Sequence, residues 1–276
     1  MNKALILTVA ALLAQSAICG GDDDNAVPTT LTMIRSTPDA FKNVTVRFTV
    51  QFSTLGKVSN PFFTRFVPSD YANFYAWSAD QPIWRKEAYD DVFGLLFIAK
   101  EHKNLPDLYR FKQYERLELV GTVKNVFQGM PWIDVTSWTP LAERVSTATL
   151  AHLYKGEAYM NRRQWQQAIA ELSVAPGAGT PNEVQSAIHR NLGVCYLRIG
   201  EAGTAVSHLN SANSLMPGGD RESELLAQVA LTRPQTELDR QVDSKGVKDT
   251  ERPFWEAFED VRPVQQNQSA TPPTNR

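Results

Sequence analysis

One pattern of residues occurs twice in this chain. Residues 153–175 and residues 190–212 align when Gly156 is placed on Gly193, a shift of 37 positions. A fixed period of roughly 20–50 residues, with small and aromatic residues at matched places, predicts stacked helical hairpins. Such a unit cannot bury its apolar face alone, so it packs on its neighbours and presents a concave surface to something else. The repeat therefore favours binding over catalysis. The aligned pairs are Gly156 with Gly193, Tyr159 with Tyr196, Ala168 with Ala205, Leu172 with Leu209 and Ala175 with Ala212.

Each copy predicts two helices. In the first copy, Leu153, Gly156 and Tyr159 recur every third residue, as they would on one face of a helix. In the second copy, Gly200 marks the turn between the helices and Pro217 follows the end of the second helix. The glycines are small where two helices must approach closely, so each copy predicts a tightly packed pair.

The repeated residues resemble the tetratricopeptide repeat (TPR) family, whose usual period is about 34 residues. The second copy carries the leucine–glycine pair at 192–193, Tyr196 and the alanines at 205 and 212. A longer connection at 175–181 accounts for the shift of 37. The resemblance implies an array of α-hairpins that binds protein. Because about three units are normally needed for stability, we expect residues 223–232 to form a third helix that caps the array against solvent.

In this family, the first helix of each repeat lines a concave groove. The residues turned away from the packed stripe are therefore the expected contacts for a protein or peptide partner. Arg190 and Arg198, together with Asn161, suit a carboxylate or an acidic peptide, because arginine forms bidentate hydrogen bonds. The alternative is a solvated helix face. The expected groove residues are Glu157, Met160, Asn161, Arg190, Val194, Leu197 and Arg198.

Residues 30–145 predict a β-domain, because apolar and polar residues alternate in several short runs. Gly121 inside a strand and a turn at 128–129 resemble the OB-fold, a five-stranded barrel with a helix between its third and fourth strands. We expect an α+β chain of two domains, an OB-like barrel followed by TPR-like α-hairpins at 146–232. The predicted elements are strands at 44–52, 73–77, 92–98, 117–126 and 132–138, a short helix at 105–111, and Pro131 as a block to any earlier start of the last strand.

Aromatic residues of this β-domain are a candidate ligand face. Several OB-fold families bind oligosaccharide or single-stranded nucleic acid there, and Phe74, Tyr75, Trp77 and Trp132 would stack on such a ligand. The alternative is that these side chains fill the barrel or its contact with the repeats. The formal net charge of −2 gives no strong field toward nucleic acid.

The first 20 residues predict a secretory signal peptide, with Lys3 before a mostly apolar run and small residues after it. Residues 21–29 follow as an acidic leader. The alternative is a lipoprotein in which Cys19 carries a lipid, which would be the chain's attachment to a membrane. Both versions predict export to the periplasm or cell envelope, and export argues against nucleic acid as the ligand.

Catalytic motifs are missing from the sequence. It contains no nucleophile elbow, phosphate loop or zinc motif. His152 and His189 are 37 residues apart, so repetition explains them better than metal binding does. Cys195, inside a predicted repeat helix, is interpreted as a small buried apolar residue. We therefore predict a non-enzymatic protein without cofactor or metal.

The polar end of the chain, residues 233–276, predicts disorder because it cannot bury a core. An aromatic island at 253–261 interrupts it, with Phe254 and Phe258 on one helical face and Trp255 beside them. Such an island is a candidate docking motif for its own domain or for another protein. We expect an exported, non-catalytic scaffold or adaptor; the alternative is a ligand-binding module that uses the β-domain.

Overall fold

A computed structural model describes residues 25–56 and 66–232. The predicted signal peptide, Cys19 and the island at 253–261 lie outside these residues. The described chain is a mixed α/β structure with a six-stranded sheet and eight α-helices. Its first part contains strands β1 (Val27–Pro28), β2 (Thr45–Leu55), β3 (Tyr71–Ser78), β4 (Phe93–Ala99), β5 (Glu115–Phe127) and β6 (Met130–Arg144), with helices α1 (Leu31–Ser36), α2 (Lys86–Asp90) and α3 (Leu105–Leu108).

The predicted strands and the short predicted helix are confirmed, with one correction at Pro131. Strand β6 begins at Met130, and Pro131 pairs with Val126 of β5. The pairing between β4 and β6 begins only at Ile133. At Pro131 the strand therefore pairs on one side, where the missing N–H of proline is tolerated.

The strands of the sheet are hydrogen-bonded in the order β1-β2-β3-β4-β6-β5, and β2 pairs with β5 as well. The β1–β2 and β4–β6 pairs are parallel, and the other pairs are antiparallel. Gly121 lies at a register shift in the β5–β6 pairing, and a Cβ atom there would be 2.7 Å from the carbonyl oxygen of Asp134. A glycine is thus required for this close approach of two strands.

A first apolar core lies on the inner side of the sheet. It contains side chains from β2 to β6 and from the short helices α1 and α3. Thr30 is the N-cap of α1, because its hydroxyl accepts a hydrogen bond from the amide of Met33. The largest fully buried side chains of this core are Phe48, Phe74, Phe93, Leu31, Ile34, Leu96, Ile98 and Leu108.

Five longer helices follow the sheet. They are α4 (Thr147–Asn161), α5 (Trp165–Val174), α6 (Asn182–Arg198), α7 (Ala202–Leu215) and α8 (Arg221–Thr232). Helices α4 and α5 form one antiparallel hairpin, and α6 and α7 form a second. A Cβ atom on Gly156 would lie 2.7 Å from Leu172, and one on Gly193 would lie 2.6 Å from Leu209. The two hairpins are therefore closed by the same glycine–leucine contact. The repeat predicts the close approach at the glycines, and the structure supplies the leucine.

A second apolar core joins the sheet to the hairpins. Trp77 and Trp84, from β3 and the segment after it, are in one cluster with Leu153 of α4 and Ile188 of α6. Trp77 lies 4.9 Å from Tyr89 and 5.8 Å from Tyr114 between ring centres, and its Nε1 donates to the carbonyl of Tyr89. The segment between β3 and β4 is thus packed against the helices.

Helix α8 forms at the expected place and packs against α7. The outer side of this expected cap is partly apolar. Leu225 is 51% exposed, Val229 is 46% exposed and Leu231 is 73% exposed. A helix that finished the array against water would carry polar residues at these positions.

Candidate partner-binding surface

Glu157 of α4 accepts hydrogen bonds from α6 and from the segment after β3. Its Oε1 accepts hydrogen bonds from Trp84 Nε1 at 2.8 Å, from Arg85 at 2.9 Å and from Asn191 at 3.1 Å. Its Oε2 accepts from Arg85 Nε at 2.7 Å. The hydrogen bond to Glu157 is the largest reason that the pKa of Arg85 is raised. Four donors already occupy this carboxylate, so Glu157 joins α4 to α6 and to the segment after β3, and a partner would have to displace one of them.

Arg190 is likewise engaged within the chain. Its Nη1 lies 3.2 Å from Asp220 Oδ2 and 3.4 Å from Glu222 Oε2, so it fastens α6 to the start of α8. Burial alone would raise the pKa of Asp220, but the hydrogen bond from Ser223 and the charge of Arg190 outweigh burial and lower this pKa. Asp220 thus stays ionised beside Arg190, and a partner carboxylate at Arg190 would have to compete with this internal ion pair.

The other five predicted groove residues form a patch at the ends of α4 and α6. Arg198 is exposed, and its guanidinium lies 5.9 Å from the centre of the Trp165 ring at the start of α5. Since α4 ends at Asn161, just before Trp165, this contact brings the end of α6 beside the end of α4. The patch, called the helix-end patch below, combines exposed polar tips with half-buried apolar side chains. It consists of Met160, Asn161, Val194, Leu197 and Arg198.

A second contact between the sheet and the helices is a buried ion pair that the sequence does not predict. Arg116 of β5 has a side chain only 4% exposed, and it donates to both oxygens of Glu183 of α6 at 2.9 and 3.0 Å. Glu143 of β6 lies 3.3 Å from the same guanidinium. No local signal identifies Arg116, because its alternation within a strand places it with ordinary surface residues.

The predicted aromatic ligand face is divided by the structure. Phe74 is fully buried in the first core, and Trp77 is 1% exposed in the second. Neither can stack on a ligand, so for these two the alternative of core filling is correct. Tyr75 is half-buried and its ring covers Gly94, where a Cβ atom would meet it at 2.1 Å. Trp132 is half-buried and stacks on Phe97, with ring centres 5.3 Å apart and planes 6° apart.

His152, His189 and His208 have hydrogen-bond partners within the chain, and Cys195 is buried. His152 Nδ1 lies 2.7 Å from Glu171 Oε2, and His189 Nδ1 lies 2.9 Å from His208 Nδ1. Burial raises the pKa of the Cys195 thiol to about 12, which makes it a poor nucleophile.

Within residues 25–56 and 66–232, no three His, Cys, Asp or Glu side chains are grouped to hold a metal ion. No helix of this part of the chain is long and apolar enough to cross a membrane.

Comparison of the chain with protein-family models, with curated proteins and with solved structures gives no significant match.

Proposed function

We propose that this chain is a non-catalytic scaffold of the TPR class, in which two α-hairpins are mounted on an OB-like β-domain. The equal glycine–leucine contacts in the two hairpins, 37 residues apart, support the first part. The ring of pairings β2-β3-β4-β6-β5-β2, with α3 between β4 and β5, supports the second. In this scheme the β-domain is a support for the hairpins.

More particularly, the chain is an adaptor that binds a segment of another protein at the helix-end patch. The carrying observation is the division of the inner helix face. Trp84 and Arg85 cover its middle, while at its end Val194 and Leu197 are half-buried and Arg198 is exposed. Half-buried apolar side chains beside an exposed guanidinium suit a peptide that offers one apolar side chain next to a carboxylate. The Trp165 ring beneath Arg198 limits the conformations of this guanidinium, which lowers the entropy cost of binding.

The adaptor is proposed to work outside the cytoplasm, in the periplasm or cell envelope. The support is the sequence of residues 1–20, which lie outside the described part of the chain. A lipid on Cys19 would hold the adaptor at a membrane surface, while the folded part would still present the helix-end patch.

The adaptor proposal is tested with a photoreactive amino acid at position 194 in the full chain, irradiated in its native envelope. We expect one crosslinked protein whose yield falls about tenfold with Arg198→Glu, equivalent to about 1.4 kcal/mol. Two matched controls are available. Arg110→Glu changes an arginine side chain that is 80% exposed on the sheet side and should leave the yield unchanged. A photoreactive residue at Val174, which is 60% exposed on α5, should not capture the same protein.

An adduct that forms equally from positions 194 and 174, or that survives Arg198→Glu, would contradict the adaptor proposal. The purified partner segment then gives a direct check. Its dissociation constant should rise about tenfold with Leu197→Asp, because an unpaired carboxylate would be placed against the apolar part of the peptide.

One observation favours a second candidate, a β-domain that binds an oligosaccharide. Trp132 keeps part of its ring exposed, and Phe97 supports it from behind in a parallel stack. Such a ring can stack on the apolar face of a sugar. Titration of the chain with envelope oligosaccharides should give binding that Trp132→Ala abolishes and Arg198→Glu leaves intact.

A further inference from the structure

The outer side of α8 carries an apolar stripe that starts one turn after Arg221. Arg221, Leu225 and Val229 are spaced four residues apart, so they lie on the same side of the helix. All three side chains are exposed, although Leu225 and Val229 are large and apolar. This row of three residues is called the α8 stripe below.

In the two hairpins, an antiparallel second helix covers the first: α5 covers α4, and α7 covers α6. Helix α8 occupies the place of a third first helix, since it follows α7 and packs against it. Within the described residues, no second helix follows α8. The side of α8 opposite its buried Ser223, Ala227 and Ala230 is therefore left uncovered by that part of the chain.

We propose that residues 253–261 of this chain dock on the α8 stripe, antiparallel to α8, and act as the missing second helix. The sequence of this segment carries Phe254, Phe258 and Val261 at spacings of four and three, which gives one apolar side in a helix. An antiparallel arrangement, as in the two hairpins, lets Phe254 and Phe258 face Val229 and Leu225.

The connecting chain is long enough. Residues 233–252 provide 20 residues between the two segments. A flexible chain of this length spans about 25 Å on average, and α8, with 12 residues, is about 18 Å long. The island can therefore return along the whole helix without strain in the connection.

Disulfide trapping in the full chain tests this docking directly. In a Cys19→Ser background, cysteines are placed beside the two apolar rows at Gln228 and Ala257, and their intramolecular bond formation is timed under mild oxidation. We expect it to be about tenfold faster than for the matched pair Ser173→Cys and Ala257→Cys, because docking raises the effective concentration of the tail near α8 only. Ser173 is an exposed residue on α5. The buried Cys195, whose thiol has a pKa of about 12, should stay out of the exchange.

Adding Phe254→Ser and Phe258→Ser to the 228–257 pair should slow its bond formation to the rate of the 173–257 pair. These changes lie in the tail and leave the described fold intact. Equal rates at positions 228 and 173 without them would overturn the proposal. Disulfides between two chains at position 228, rising with protein concentration, would also overturn it and would assign the stripe to a second copy.

Hydrogen exchange gives an independent reading. Amides of α8 should exchange about tenfold faster in the Phe254→Ser, Phe258→Ser variant of the full chain, since the last helix would lose its cover. Unchanged exchange in α8 would overturn the proposal even if the cysteines react.

Discussion

His189 and His208 share a hydrogen bond at the place where His152 and Glu171 form a pair in the first hairpin. Each pair spans 19 residues, and the two pairs are 37 positions apart. The repeat has thus kept the histidine of the first helix and changed its partner on the second from an acid to a base. An imidazole pair accepts at most one extra proton without repulsion, whereas a carboxylate stabilises a protonated histidine.

Acid should therefore weaken the second hairpin. Burial lowers the pKa of His189 and of His208, and the charge of His189 lowers that of His208 further. The unfolded chain, with histidine pKa values of about 6.5, binds these protons more readily, so their stabilisation is present above that pH and is lost as the pH falls below it. We expect the melting temperature to fall between about pH 7.5 and about pH 5.5.

The variant His208→Glu identifies the source of this pH effect. It copies the first hairpin, places a carboxylate beside His189 and should remove most of the loss at the acidic end of that range. His152→Gln is the matched control and should leave the loss caused by the His189–His208 pair in place. If His208→Glu melted with the same pH dependence as the original chain, the pair would not be responsible.

Gly193→Ala should destabilise the fold by about 1–3 kcal/mol, because the new Cβ would overlap Leu209 and the hairpin would have to open. Gly156→Ala should behave alike against Leu172. Gly203→Ala in α7 is the control, since a Cβ there meets nothing within 4 Å, and it should be neutral or stabilising by up to about 1 kcal/mol. Urea unfolding measures the three values. Similar losses at positions 193 and 203 would mean that the close helix contact is not the cause.

Glu157→Ala should cost about 2–4 kcal/mol, because Trp84 and Asn191 would each lose a buried acceptor. Arg85→Ala should cost less, about 1 kcal/mol, since the side chain of Arg85 is half exposed and water replaces its partner. Chemical denaturation of both variants tests the order. A larger loss of stability for Arg85→Ala than for Glu157→Ala would mean that the surface ion pair contributes more than the buried hydrogen bonds.

Arg116→Lys should destabilise the chain by about 1–3 kcal/mol although the charge is kept. A lysine cannot donate to both oxygens of Glu183 in the fork geometry that arginine uses. Arg47→Lys is the matched control: Arg47, on the neighbouring strand β2, is 38% exposed beside Glu118. Equal losses of stability from Arg116→Lys and Arg47→Lys in thermal unfolding would contradict a special role for the buried pair.

The elements that sequence predicts well are those with a local cause. Alternation located the strands, and the 37-residue shift located the two glycines at which the helices approach closely. The partners of Glu157 could not be predicted, because Trp84 and Arg85 are more than 70 positions away and reach it only once β3 and α4 have packed. The carboxylate of Glu157, which a helical wheel places on the groove side, therefore accepts its hydrogen bonds from within the chain.

Of the residues of the helix-end patch, Asn161 and Arg198 are exposed, whereas Met160, Val194 and Leu197 are half-buried. Their contact with a partner stays a prediction. The exposure of the aromatic residues was predicted less well. A period of two shows which residues share a side of a strand, but it does not show which side meets solvent. Phe74 and Trp77 belong to two different cores for this reason.

The shared core around Trp77 and Trp84 means that the hairpins are not a portable unit. Cut from the sheet at residue 145, α4 and α6 would expose Leu153 and Ile188 to water and would leave Glu157 and Glu183 without their cationic partners. The sheet and the helices should therefore unfold in a single cooperative transition. Proteolytic removal of either half should cause the other half to unfold.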